Sequence, residues 1–298
     1  MIAVDWGTTN VRAYLIDENG MIRARRAAPF GVMATRASDL MATLDQLIEE
    51  WAGTDASPVL MCGMVGSRQG LLEVPYVRCP ASVAEIARGA REIDLGHGRL
   101  ALIFPGLICR DAKEVPDVLR GEETQVIGAL ADLPGGTVSV WLPGTHSKHV
   151  RVRDGVIHGF STHMTGEVFS TLSTHSILGR LMAGDDIDRS AFDEGVRRAA
   201  DPGGLLHHVF GARTRVLTGE LPGSATRGYL SGVLIGHEIR SDLPDPGVPL
   251  YVSGDELLSE LYLQALQIVG IAGHRAAPDL AASGLFRLRQ AIDKDRMP

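Results

Sequence analysis

Apolar residues near the start of the chain fall in short blocks. Ile2–Val4 is an apolar strand, residues 11–16 alternate as a second, and residues 21–28 form a third. Glu18-Asn19-Gly20 joins the last two, because Asn-Gly accepts positive φ at low cost. The period then changes. Leu40, Leu44, Leu47, Ile48 and Trp51 recur at helical spacing and predict a helix over 38–51 with Ser38 as its N-cap. A strand over 58–62, a helix over 82–91, a strand over 99–104 and a helix over 122–131 complete the order βββαβαβα. From Thr137 the order begins again. Strands over 137–142, 149–153 and 156–161 precede a helix over 167–182. Helices over 190–210 and 226–241 interrupt the repeat, which resumes with a strand over 249–253, a helix over 257–268, a strand over 270–274 and a last helix over 280–292.

A repeated pattern of this length sets the architecture before any local motif does. The expected fold class is α/β, built from duplicated βββαβαβα lobes. Residues 1–130 are the expected first lobe and residues 131–298 the second, with the last helix packing back on the first. The lobes are expected to face each other across a cleft lined by loops at strand ends, where open α/β sheets bind ligands. The alternative is one larger α/β domain with chance hairpins.

Composition narrows the function. The chain has 298 residues, 45% of them hydrophobic, and a net charge of −7, with no basic patch to recommend nucleic acid as a partner. Cys62, Cys79 and Cys109 form no CxxC pair. An odd count without an export signal points to reduced thiols in a cytoplasm. No apolar run approaches the length of a membrane span. A small-molecule substrate is expected, and a homodimer is compatible with the sequence.

Each predicted lobe opens with a strand, a Gly-Thr turn and a returning strand. The first turn is Asp5-Trp6-Gly7-Thr8-Thr9-Asn10, followed by Arg12, and the second is Pro143-Gly144-Thr145-His146-Ser147-Lys148. Glycine lets backbone amides approach an anion, hydroxyls add donors, and Lys148 adds a mobile charge. Two such turns could grip nucleotide phosphates from opposite sides. Asp5 cannot bind phosphate directly, but would serve a Mg²⁺ held through water.

Asp5-x-Gly7-Thr8-Thr9-x-x-Arg12 resembles the first phosphate motif of the actin, hexokinase and heat-shock chaperone ATPase superfamily, and residues 142–148 resemble the second. Leu250-Tyr251-Val252-Ser253-Gly254-Asp255-Glu256-Leu257 resembles its adenosine motif, which implies nucleotide contacts at Gly254 and Asp255; as plain structure, Asp255 would be a helix cap. Within that superfamily, several blocks resemble the 2-dehydro-3-deoxygalactonokinase family. They are Asp5–Asn10, Gly63-Met64-Val65-Gly66-Ser67, Arg120-Gly121-Glu122-Glu123-Thr124-Gln125, Pro143–Lys148, Met164-Thr165-Gly166-Glu167 and the run from Ser231 to Glu238. The resemblance implies ATP and Mg²⁺ as cofactors, and phosphorylation of the C6 hydroxyl of 2-dehydro-3-deoxy-D-galactonate.

Kinases of that superfamily place an aspartate before the helix that precedes the second phosphate turn. Here the place holds Glu122 and Glu123, so either is a candidate base, with Asp111 third. The glutamates could instead merely favour a helix N-terminus. For the substrate carboxylate the candidates are Arg68 and Arg120, with Ser67 and the amides around Gly66. His146, His149, His158 and His163 crowd the second lobe's hairpins. Strand alternation and the lack of an acidic or thiolate partner argue against zinc, leaving hydrogen bonding near phosphate. The Ser231–Glu238 helix, with its small residues, suits a crossing point between closing lobes or a plain core position. Two other readings share the fold. A chaperone or assembly ATPase would need an extra domain, and a phosphohydrolase would use water as nucleophile.

Overall fold

The computed structural model describes residues 1–52, 58–96 and 98–295. In chain order the elements are β1 (Ile2–Trp6), β2 (Val11–Ile16), β3 (Ile22–Ala28), α1 (Leu40–Ala52), β4 (Val59–Gly63), β5 (Val77–Arg78), α2 (Val83–Arg88), β6 (Arg91–Gly96), β7 (Arg99–Ile103), β8 (Leu107–Arg110), β9 (Pro116–Leu119) and α3 (Glu122–Ala129). They continue with β10 (Thr137–Leu142), β11 (Ser147–Arg153), β12 (Val156–His163), α4 (Thr165–His175), α5 (Arg189–Arg198), α6 (Gly204–Leu217), α7 (Thr226–Ser241), β13 (Leu250–Val252), α8 (Glu256–Val269), β14 (Gly273–Arg275) and α9 (Leu280–Asp295).

The chain divides into two compact units. The first comprises residues 1–136, 150–160 and 277–298, and the second residues 137–149 and 161–276. The first unit therefore includes α9, which packs against α2 and α3.

The main sheet of the first unit has the order β3-β2-β1-β4-β7-β6. β1 is buried along its whole length, as a central strand must be. It pairs antiparallel with β2 and parallel with β4, and this register sets Asp5 opposite both Arg12 and Cys62. The helical stripe predicted for α1 is the buried one: Leu40, Leu44, Ile48 and Trp51 join Val4, Trp6, Val11 and Met61 in one core. Burying each such side chain contributes roughly 1.5–3 kcal/mol.

The second sheet has the order β12-β11-β10-β13-β14. In each of the two large sheets the third, second, first and fourth strands of the repeat lie in that order, followed by a strand parallel to the fourth. The duplication read from the sequence is thus a duplication of topology. Trp141, Val252, Tyr262 and Leu266 centre one core of the second unit, and Leu178, Tyr229 and Leu230 another.

Several elements differ from the expected ones. The helix expected over 82–91 ends at Arg88, and β6 follows as an antiparallel edge strand on β7. β5, β8 and β9 form a small separate sheet. The helix expected over 190–210 is two helices, broken where Pro202 meets Gly203 and Gly204, both at positive φ. The small residues of α7 hold a plain core position. A Cβ on Gly232 would lie 2.0 Å from the Phe192 carbonyl oxygen, so they admit α5 of the same unit.

Candidate active site

In the first unit, the turn after β1 closes with Gly7 N–H donating to the Asn10 carbonyl at 2.9 Å. The strand after it returns the chain from residue 11. Residues 31–33, just beyond β3, donate three backbone hydrogen bonds to the carbonyls of Thr9, Gly7 and Thr8. Those carbonyls are thereby turned inward, while the side chains of Thr8, Thr9, Asn10 and Arg12 stay exposed.

Asp5 is 8% exposed. Burial pushes its carboxyl up to about 6, opposed by the Arg12 guanidinium 3.7 Å away and reinforced by the negative charge of Glu122. Cys62 donates its thiol to Asp5 Oδ1 at 3.8 Å. Burial, with Asp5 and Glu123 adding to it, pushes that thiol well above its usual range, so Cys62 is an inert neutral donor.

Backbone contact brings Glu122 to this place. Gly63 and Gly121 both sit at positive φ, and a Cβ on Gly121 would lie 3.1 Å from Gly63 Cα. The end of β4 and the start of α3 can therefore touch main chain to main chain. The two glutamates that follow differ sharply. Glu122 is partly exposed, and one carboxylate oxygen accepts the Arg120 N–H at 2.9 Å. Glu123 is fully buried, accepts the Gly121 N–H at 2.7 Å and the Thr124 hydroxyl at 2.9 Å, and is pushed up to about 8 by burial and by Glu122. Burial thus favours the protonated form of Glu123. Asp111 is taken up in a turn, with Oδ1 accepting the N–H groups of Lys113 and Val115.

This separation has a pH signature. Glu123 ionises near 4.5 when unfolded and near 8 when folded, so the folded state holds a proton that the unfolded state loses. Its contribution is fully present below about pH 4.5 and declines as pH rises towards 8. Glu123→Gln is expected to flatten the fall in stability over that window, which one proton can make as steep as about 1.4 kcal/mol per pH unit. Thermal unfolding of both proteins across the window checks this; parallel curves would show that Glu123 is ionised in the fold.

The loop after β4 carries Gly66, Ser67 and Arg68. Ser67 is buried and donates to the Met64 carbonyl at 2.7 Å. Arg68 is 81% exposed and pairs with Glu73 at 3.2 Å. Arg120 lies beneath the loop. It donates from Nη2 to the Val74 carbonyl at 2.7 Å and stacks on Tyr76 at 4.2 Å, while Nη1 lies 2.9 Å from where a Gly66 Cβ would stand. Its geometry is that of a strut holding the loop.

In the second unit the turn after β10 is backed in the same manner. The Glu167 N–H donates to the Thr145 carbonyl at 2.9 Å, and a Cβ on Gly166 would lie 2.3 Å from the Gly144 carbonyl oxygen. The N-terminus of α4 thus lies directly against Gly144 and Thr145, which explains why the Met164–Glu167 block accompanies the turn. His146 Nε2 pairs with Glu167 Oε2, both near half exposure. Lys148 is 5% exposed and donates to the Thr162 hydroxyl at 3.0 Å, so the mobile charge expected there is a held one. Gly254 lies beside the Pro143 carbonyl. Asp255 caps α8, accepting from the N–H groups of Leu257 and Leu258, which is the plain structural role.

His158 is exposed. His149 is buried, stacked on Trp141 with ring centroids 3.6 Å apart, and bonded to Glu238 and Asp242. The acidic partners expected to be lacking come from α7 and the residue that follows it. No local signal links them to His149, because they lie 89 and 93 positions further along the chain.

Among the described residues, no helix is long and apolar enough to cross a membrane. The family model for 2-keto-3-deoxy-galactonokinase matches residues 5–288. The probable 2-dehydro-3-deoxygalactonokinase DgoK1 of Rhizobium meliloti is 38% identical, covering 97% of this chain and 96% of its own. The 2-dehydro-3-deoxygalactonokinase of Escherichia coli is 33% identical, with 98% of each chain covered. A solved structure of a candidate 2-dehydro-3-deoxygalactonokinase from Sinorhizobium meliloti superposes with a TM-score of 0.89 at 37% identity, covering 98% of each chain. The fold is α/β with two sheets of repeated topology, and over nearly its whole length the chain belongs to the 2-keto-3-deoxy-galactonokinase family.

Proposed function

We propose that this protein is an ATP-dependent kinase that phosphorylates the C6 hydroxyl of 2-dehydro-3-deoxy-D-galactonate. The observation that carries the reading is the family match over residues 5–288, which spans the Asp5 turn, the Glu122 helix start and the turn at 143–148. Phosphoryl transfer asks a protein mainly for positioning and charge stabilisation. Glu122 takes the C6 hydroxyl proton as that oxygen attacks the γ-phosphorus and ADP leaves. The hydroxyls and amides of Thr8, Thr9, Gly144 and Thr145 bind phosphate oxygens, and the run after β13 at Gly254 meets the adenosine. Lys148 contributes charge and His146 a hydrogen bond beside the second turn.

A buried carboxylate raised to about 6 is a donor that a cation would pull into its ionised form, so Asp5 fits a Mg²⁺ held through water. That ion would neutralise charge on the phosphates. The three cysteines are free thiols, which is compatible with a reducing compartment such as the cytoplasm.

For the substrate carboxylate we favour Arg68, whose guanidinium is exposed, over the half-buried Arg120, which donates from Nη2 to the Val74 carbonyl. Arg68→Ala is expected to raise KM for the sugar acid about tenfold, the loss of one charge-assisted hydrogen bond pair, and to leave KM for ATP within twofold. Equal rises in both constants would remove Arg68 from the substrate site.

The reading is tested by ADP release from purified protein with ATP and Mg²⁺. The 2-dehydro-3-deoxygalactonate substrate is run beside its gluconate epimer and a blank without sugar acid. Turnover on the galactonate form well above both others is expected. Turnover equal to the blank with each sugar acid would refute the kinase assignment and bring the phosphohydrolase reading forward.

A further inference from the structure

We propose that His149, His163 and Asp242 form a binding site for a divalent transition metal of the zinc type, separate from any Mg²⁺ that accompanies the nucleotide. Three donor atoms from three elements converge here: His149 from β11, His163 from the end of β12, and Asp242 from just beyond α7. One ligand atom from each of His149, His163 and Asp242 lies within 4.8 Å of the other two. Asp242 Oδ2 is 3.2 Å from His149 Nδ1 and 3.6 Å from His163 Nε2. Donors on a tetrahedral zinc, at bond lengths of about 2.0–2.1 Å, stand about 3.3–3.4 Å apart. The two observed separations bracket that edge.

The surroundings are those of a prepared ligand. The other ring nitrogen of His149, Nε2, faces Glu238 Oε1 at 2.9 Å. Glu238 accepts the Tyr262 hydroxyl at 2.6 Å, and Tyr262 in turn meets the Ser147 hydroxyl at 2.7 Å. His149 is also clamped flat against Trp141, with an interplanar angle of 3°. A carboxylate on the far nitrogen of a metal-bound imidazole fixes its tautomer and raises its basicity. The Ser161 hydroxyl also bonds Asp242 Oδ2, orienting that carboxylate.

A proton could account for part of this. A doubly protonated His149 would donate to Glu238 and Asp242 together. It would leave the buried Nε2 of His163 with only the long 3.6 Å approach to Asp242 Oδ2. A buried polar atom left unpaired costs about 1–3 kcal/mol. One cation shared by the three donors satisfies this nitrogen and both of the others. Two imidazoles and one carboxylate select zinc-like ions over Mg²⁺ or Ca²⁺, which take oxygen ligands. Such an ion would tie β11, β12 and the end of α7 together immediately after Lys148 in the second turn.

The test uses the untagged full chain, stripped with a chelator, loaded with zinc, desalted and analysed for bound metal. One equivalent per chain is expected for the wild type, and none at this site for His163→Asn or Asp242→Asn. Glu238→Gln, which weakens the support of His149, should lose about 10–100-fold in zinc affinity. Cobalt loading of the wild type keeps the proposal open to refutation if the variants fail to fold. Intense ligand-field bands of tetrahedral cobalt, without sulfur-to-cobalt charge transfer, are expected. A spectrum of hydrated cobalt, a thiolate band placing the metal on cysteine, or equal zinc content in wild type and folded variants would each overturn the proposal.

Discussion

Glu122→Gln is expected to lower kcat about 100- to 10,000-fold, the range that a positioned general base supplies, with KM values for both substrates changed only a few-fold. Two adjacent acids open α3, and their surroundings divide the work between them. The base must be ionised near neutral pH and within reach of substrate. Glu123 fails both conditions, being fully buried, bonded back to Gly121 and Thr124, and raised to about 8. Glu122 is partly exposed at the start of α3, and its charge is felt at Asp5. Glutamine keeps an oxygen for the Arg120 N–H, so the helix start should survive and the loss should fall on the chemical step. The matched control is Glu123→Gln, which should retain kcat within a few-fold. A dead Glu123→Gln beside a near-normal Glu122→Gln, both folded, would reverse the assignment.

How much of this could be read along the chain follows from the range of each interaction. The turns at 5–10 and 143–148 were legible because a strand, a glycine and hydroxyls within one tight reversal are a local pattern. The duplication was legible through its repetition, since βββαβαβα occurring twice implies one topology used twice. β5, β8 and β9 were not, because strands of two to four residues with exposed polar positions carry too little alternation to stand out from a loop. The two glutamates could not be told apart, since adjacent residues at a helix start differ only in what the rest of the fold packs around them. Arg120 shows the same limit. Its sequence neighbours suggest a cleft, but Tyr76 and the Val74 carbonyl, over forty positions away, engage one face and one nitrogen of its guanidinium. The Glu238 and Asp242 partners of His149 come from across the second unit, so the histidines looked isolated on their strands.

Asp5→Asn is expected to cut kcat/KM by about 100- to 1,000-fold, the loss typical of one preorganised electrostatic contact, while leaving the protein as stable as the wild type or more so. The two effects have opposite signs for one reason. Strand register fixes Asp5 between Arg12 and Cys62 near the end of β1, which is buried along its whole length, and burial raises its carboxyl to about 6. A carboxyl raised from 3.8 to about 6 contributes stability that is fully present below about pH 3.8 and lost as pH rises through 6. At the pH of the assay the folded protein therefore bears an ionised group that the fold itself disfavours. Asparagine has the same shape and no charge, so that cost disappears. What disappears with it is the negative charge that would hold Mg²⁺, and a raised Mg²⁺ requirement should accompany the loss. Circular dichroism melts at pH 7.5 and initial rates across a Mg²⁺ series separate the cases. Normal turnover at ordinary Mg²⁺ would remove Asp5 from the chemistry. Lost activity with a matching fall in Tm would make it a packing residue. Lost activity with an unchanged or higher Tm is the outcome for a carboxylate placed at the strand end for function at the expense of stability.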